Sequence, residues 1–169
     1  MALAALLARL AASEPFAALT ATLTSQRGAA LIHLPHPAKA ALVAALAAER
    51  RVAWIARDPD VAERVAETLR AWVRDPDGVA LLEPRSSLPY ERGELAVDES
   101  AGRVAALAAW RSGEAKILVT SLLAALQNSI DPASLDERSL SMVPGARMSL
   151  DEATRRAVAL GYEIGRAHV

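Results

Sequence analysis

Val52-Ala-Trp-Ile-Ala-Arg57-Asp58-Pro59-Asp60-Val61-Ala-Glu-Arg-Val65-Ala-Glu-Thr-Leu69-Arg-Ala-Trp72-Val73 carries both kinds of element that the chain is built from. Its first five residues form a short apolar run of the sort that fills a buried strand. Asp58-Pro59-Asp60 then supplies a helix cap and a first-turn proline, and Val61, Val65, Leu69 and Trp72 fall on one face of a helix over 61–73. The alternation repeats outward from there. Further apolar runs lie at Ala29–Leu34, Val79–Leu82 and Lys116–Thr120, and further helical stretches at Ala38–Glu49 and Asp98–Trp110. The last of these carries Val104, Leu107 and Trp110 in register, and Asp75-Pro76-Asp77-Gly78 is a turn by its own chemistry. This β-α-β-α order predicts an open α/β fold, with a parallel sheet covered on both faces and right-handed crossovers.

Toward the ends the pattern differs. Two short Ala/Leu helices are expected at Ala2–Ala12 and Glu14–Leu23, with Ser13 and Pro15 as cap and first-turn proline of the second, before Gln26-Arg27-Gly28 breaks the run. Beyond Leu126, Gln127–Pro132 reads as a loop, Leu140–Val143 as a strand and Pro144-Gly145 as a turn. Ser149 and Glu152 make a capping box for a helix reaching Leu160, which Gly161 ends. One strand and one helix cannot bury a face alone, so this stretch reads as the start of a small α+β domain.

The chain has 169 residues, 53% of them apolar but only 4% aromatic, so its core must be built from Ala, Leu and Val. A net charge of −1 provides no global field toward nucleic acid or an anionic membrane. The absence of cysteine excludes disulfides, thiolate catalysis and Cys-based metal sites. The apolar opening Met1–Ala12 lacks a basic leader and is interrupted by Arg9, and no run approaches the ~20 residues that span a bilayer. A cytoplasmic protein is expected.

In an α/β sheet the loops after the strands are the first place to look for chemistry. After the Ala29–Leu34 run comes Leu34-Pro35-His36-Pro37-Ala38-Lys39-Ala40. A phosphate loop needs glycines whose N–H groups turn inward, then Lys, then Ser or Thr for magnesium. Here there is no glycine, Pro35 and Pro37 each remove a donor, and Ala40 stands where the magnesium hydroxyl would be; Lys39 alone keeps a suitable place. The position lacks what a phosphate loop needs, and no catalytic, cofactor-binding or metal-binding residue is expected. His33 and His36 lack the third and fourth ligands of common metal sites. Asp58 and Asp60 are explained by capping, Asp75 and Asp77 by the turn, and Arg50-Arg51 by closing a helix C-terminus. Ser86, Ser87 and Ser121 have no His and acid at triad spacing.

Leu82-Glu83-Pro84-Arg85-Ser86-Ser87-Leu88-Pro89-Tyr90-Glu91 is more distinctive, a proline-stiffened loop with one aromatic. Together with Glu99, Arg103-Val-Ala-Ala-Leu107, Thr120-Ser121, Ala125-Leu126-Gln127, Val143–Ala153 and Leu160-Gly-Tyr162-Glu163, it resembles the N-terminal region of the bacterial transcription-repair coupling factor (Mfd). The likeness runs from about Ala29 to Glu163 and rests on the order and spacing of individually modest motifs. That region is similar to the excision-repair protein UvrB: a helicase-like first lobe whose ATP site has decayed. UvrB would keep its Gly-rich loop and a tyrosine-rich hairpin, and this chain departs from both.

The resemblance implies a division into N-terminal helices (1–28), a UvrB-like degenerate P-loop/helicase-type lobe (29–127) and the beginning of a UvrA-interaction domain (128–163). It implies a non-catalytic scaffold that, in the full protein, helps recruit UvrA to stalled RNA polymerase in transcription-coupled nucleotide excision repair. ATP and magnesium would serve a motor further along that protein, which also contacts DNA. The last six residues, Ile164-Gly-Arg-Ala-His-Val169, can be encoded by ATC GGA AGA GCA CAC GTC. That string looks like the start of a common sequencing adapter, so 164–169 are expected to be an artefact on a truncated chain. The alternatives are an ATP-binding lobe of a UvrB-like or helicase enzyme and a free-standing regulatory α/β domain.

Overall fold

A computed structural model describes residues 2–25, 31–86, 97–140, 144–145, 147–162 and 165. The chain divides into two compact units, Met1–Asn128 and Ser129–Val169. Among the described residues the first unit contains three parallel strands, β1 (Val52–Ala56), β2 (Val79–Leu82) and β3 (Ile117–Ser121), in the order β1-β3-β2. It also contains helices α1 (Ala2–Ala11), α2 (Glu14–Ser25), α3 (His36–Ala47), α4 (Pro59–Trp72), α5 (Val97–Ser112) and α6 (Leu122–Leu126).

The centre of the sheet goes to the strand richest in β-branched residues. Ile117, Val119, Thr120 and Ser121 of β3 are all buried, with Val52 and Val79 both in register with Ile117. The Thr120 hydroxyl donates to the Leu82 carbonyl at 3.0 Å, so the only polar side chain in the strand's interior ties β3 to its neighbour. From β1 the chain passes over β3 through α4 to reach β2, and α5 brings it back to the middle. Right-handed crossovers in opposite directions put the two helices on opposite faces. The side chains agree: Val79, Ile117 and Val119 cluster with α4, while Ala80, Leu82 and Leu118 cluster with Ala106 and Leu107 of α5.

The α4 stripe extends what the sequence spacing predicts. Val65 and Leu69 are buried and Val61 and Trp72 are half-buried, but the tightest positions also include Ala62 and Ala66. Ala40, Ala44 and Ala47 of α3 belong to the same cluster, so α3 and α4 approach through methyl groups. The Asp58 carboxylate caps α4 by accepting from the Val61 N–H at 2.9 Å, and Pro59 occupies the first turn. Behind α3, Leu7 and Leu10 of α1 and Phe16 of α2 pack on Ala45 and Leu46.

Several expectations are corrected. Leu31–Leu34, the described part of the first apolar run, is not a strand: it pairs with no described strand, and Leu31 is 87% exposed. Apolar composition alone does not make a strand without a ladder partner. The sheet is also not covered on both faces throughout. α5 lies over β2 and β3, leaving Ala53 exposed and Ile55 59% exposed on β1. Ser13 directly precedes α2 and its carbonyl accepts from the Ala17 N–H, but its hydroxyl does not cap the helix: it donates back to the Leu10 carbonyl of α1 at 2.7 Å. Arg51 closes α5 rather than α3, donating to the Trp110 carbonyl at 2.8 Å with its guanidinium 4.8 Å from the Trp110 ring centre. Arg50 reaches Thr24 of α2.

The second unit contains helices α7 (Pro132–Glu137) and α8 (Leu150–Ala159). The expected 127–132 loop is shorter than read, because Asp131 accepts from the Ala133 and Ser134 N–H groups and starts α7 at Pro132. Ser149 caps α8 through the Glu152 N–H at 3.1 Å; the Glu152 carboxylate pairs with Arg156. Gly161, at φ +95°, closes it with Gly161 N–H to Val158 and Tyr162 N–H to Ala157, a Schellman ending. The expected strand at Leu140–Val143 falls outside the described residues apart from Leu140, which is not in a strand. Among the described residues, no helix is long and apolar enough to cross a membrane.

Leu69 is fully buried, so Leu69→Ala should lower unfolding stability by about 2–5 kcal/mol in chemical denaturation. The exposed Ile55→Ser should stay within about 0.5 kcal/mol of wild type; equal losses would contradict this assignment of core and surface. No residue of α8 is buried, so its amides should exchange far faster than those of β3. Comparable protection in the two would contradict the exposed state of α8.

Candidate functional site

The helices leaving β1 and β2 depart to opposite faces, and β3 ends between them. Such a switch in direction leaves a crevice at the carboxyl ends of the strands. A cleft of about 480 Å³ lies there, walled by the first turn of α4 (Pro59, Asp60, Ala62, Glu63), by Leu81–Pro84 and Ser86, and by Glu99 and Ser121. Among the described residues that wall it, four carry carboxylates and none is basic. Carboxylates gathered around one cleft disfavour an anion such as a phosphate. At the α4 N-terminus Asp58 already takes the Val61 N–H through its side chain and the Ala62 N–H through its carbonyl. The buried Ser121 hydroxyl caps α6 by accepting from Ala124 N–H at 3.2 Å, which commits it structurally.

The loop after β2 is the most heavily tied segment of the site. Arg103, buried on α5, donates to the Glu83 carbonyl. Glu99, one helical turn earlier, accepts from the Ser86 N–H and, at 2.9 Å, from the Ser86 hydroxyl. Gln127, just beyond α6, holds both backbone groups of Arg85: its Oε1 accepts from the Arg85 N–H at 2.7 Å and its Nε2 donates to the Arg85 carbonyl at 3.3 Å. Arg85 Nη2 donates to the Asn128 carbonyl at 2.9 Å. Burial lowers the Arg103 pKa, Arg85 nearby acts in the same direction, and Glu99 opposes both. A loop with this many fixed backbone groups is rigid before anything binds it.

Glu83, Glu99, Arg103 and Gln127, scattered over 45 positions of sequence, therefore form one hydrogen-bonded group. In the sequence Gln127 falls in a loop with no evident partner; only its position after the apolar α6 run marks it as a helix-end residue. Leu88-Pro89-Tyr90-Glu91 lies outside the described residues.

At the Leu34–Ala40 position, α3 starts at His36 directly after Pro35, which provides no side-chain cap. The Ala38 N–H turns back to the Pro35 carbonyl at 2.9 Å, Pro37 has no N–H to offer, Lys39 is exposed, and Ala40 is buried in the core. This first turn points neither a series of N–H groups nor a position-40 side chain outward. His33 is exposed, and among the described residues no group of three His, Cys, Asp or Glu is placed to hold a metal ion.

Compared with models of protein families and with curated proteins, the chain matches none.

Beside the cleft, the Asp58 carboxyl is held below its ordinary value, first by the Val61 N–H and then by the hydrogen bond from Arg57, with desolvation opposing. Asp131, in the second unit, is lowered by hydrogen bonds from Ser134 and then Ala133. A depressed folded pKa means that the unfolded state takes up protons first as pH falls. The stabilisation is therefore present above the unfolded value of about 3.9 and is lost as pH drops through the folded value. Asp58→Asn keeps an acceptor but not the charge, so the gap in urea midpoint between it and wild type should narrow from about pH 6 to about pH 3. A constant gap would show that the Asp58 charge contributes nothing.

Proposed function

We propose that this chain is the N-terminal region of a transcription-repair coupling factor, a non-catalytic scaffold that helps bring UvrA to stalled RNA polymerase during transcription-coupled nucleotide excision repair. The observation that carries the reading is the meeting of Glu83, Glu99, Arg103 and Gln127 around one loop. These residues belong to three of the motifs through which the sequence resembles that family, and a shared structural role for residues so far apart supports reading those motifs as one set. The first turn of α3 adds support, since its prolines and its inward-facing Ala40 suit helix packing rather than phosphate binding.

In this reading, 29–127 is a helicase-type lobe that has kept its sheet and given up the nucleotide, and 128–163 is the start of the UvrA-interaction domain. RNA polymerase and DNA are engaged by other parts of the full protein, ATP and magnesium serve its motor, and it works in the cytoplasm.

Deleting the gene that encodes this chain should abolish the preferential repair of transcribed strands after ultraviolet damage, read by strand-resolved lesion mapping. An unchanged strand bias would overturn the proposal. A fluorescent ATP analogue titrated into the purified chain should show no saturable binding. Saturable binding that disappears in Lys39→Ala would instead identify a nucleotide-using lobe.

A further inference from the structure

The loop at 83–86 is held from two sides that are far apart in sequence. From α5, Glu99 takes both hydrogen-bond donors of Ser86, and Arg103 takes the Glu83 carbonyl. From beyond α6, Gln127 pairs with both backbone groups of Arg85, and the Arg85 guanidinium holds the Asn128 carbonyl. Asn128 is the last residue of the first unit, and the second begins at Ser129. Four consecutive residues thus join the N-terminal part of α5 to the end of the first unit.

We propose that loop 83–86 is a latch that fixes the start of the connection into the second unit and passes any disturbance at Glu99 on to Gln127 and Asn128. The reason is geometric. The paired hydrogen bonds between the Gln127 amide and Arg85 require one orientation of the peptide groups flanking Arg85. The peptide following Arg85 ends at the Ser86 N–H that Glu99 holds, so the two anchors grip opposite ends of one planar unit. Pro84 fixes φ on the preceding side, leaving little slack to absorb movement there. Releasing Ser86 therefore lets the 85–86 peptide rotate and carries the Arg85 carbonyl away from Gln127 Nε2. Ser86, Glu83 and Glu99 also line the cleft, so a ligand that displaced Ser86 from Glu99 would act on the unit boundary through the same peptide.

The test changes one anchor and reads the other. In the full chain, backbone amide order parameters at 83, 85 and 86 and at 127–128 should lie near the rigid value of about 0.85 and fall below about 0.6 at both places in Glu99→Ala, with 117–121 unchanged. Gln127→Ala should produce the same pair of losses from the opposite side. A fall confined to 83–86 in Glu99→Ala would overturn the latch, because the anchors would then be independent. If Glu99→Ala also loosens 117–121, the fold itself has been damaged, and Glu99→Gln, which retains one acceptor oxygen, decides the matter. A smaller fall at both places supports coupling, and a fall at 83–86 alone refutes it.

Discussion

The backbone pairing of β3 with both of its neighbours places nearly everything else in the first unit. Because β1 and β2 never touch, the chain must cross over β3 to reach β2 and then turn back to fill the gap. That reversal sends α4 to one face and α5 to the other, and it leaves the carboxyl end of β3 in the crevice between them. The cleft, its acidic wall and the tied loop after β2 all lie where this strand order puts them. Ile117 and Val119, fully buried, are also the residues on which the α3–α4 layer rests. A change that weakened β3 would loosen both layers, whereas a change in α5 would leave the α3–α4 side in place.

Much of this was legible in the sequence because it depends on local chemistry. The strands at 52–56, 79–82 and 117–121 and helices α3, α4 and α5 come from runs and caps a few residues long, and the Asp58, Ser149 and Gly161 signals act within a turn of themselves. What escaped depends on partners distant in the chain. Leu31–Leu34 has the composition of a strand but no described neighbour to pair with. Ser13 has the chemistry of a cap, yet the preceding helix offers its hydroxyl a carbonyl first. Arg51 lies after α3 but finds the C-terminus of α5, because the two segments meet at the same end of the sheet.

The candidate site divides in the same way. The unsuitability of Leu34–Ala40 for phosphate is visible residue by residue, since a proline lacks an N–H in any fold. The role of Gln127 is not visible, because nothing near it in sequence announces that a primary amide will span both backbone groups of a residue 42 positions earlier. Three motifs of the resemblance are modest one at a time for a related reason: Glu83-Pro84, Glu99 with Arg103, and Gln127 each supply one side of a set of bonds that closes only in three dimensions.

The alanine seam between α3 and α4 bears on how such a chain can change over evolutionary time. Ala40 sits within it, packed in the same cluster as Ala44, Ala62 and Ala66. A serine or threonine there would carry its hydroxyl into an apolar layer, where its partner would be the carbonyl one turn back in α3, a bond that slightly destabilises and bends a helix, and where it would cost about 1–3 kcal/mol if left unpaired. Larger side chains would push the helices apart, and glycine would weaken α3 by about 1 kcal/mol. Each of these single changes from the Ala40 methyl group therefore lowers stability, the change to a hydroxyl included. Close packing by itself is enough to hold an alanine at position 40, whatever the first turn of α3 does or does not bind.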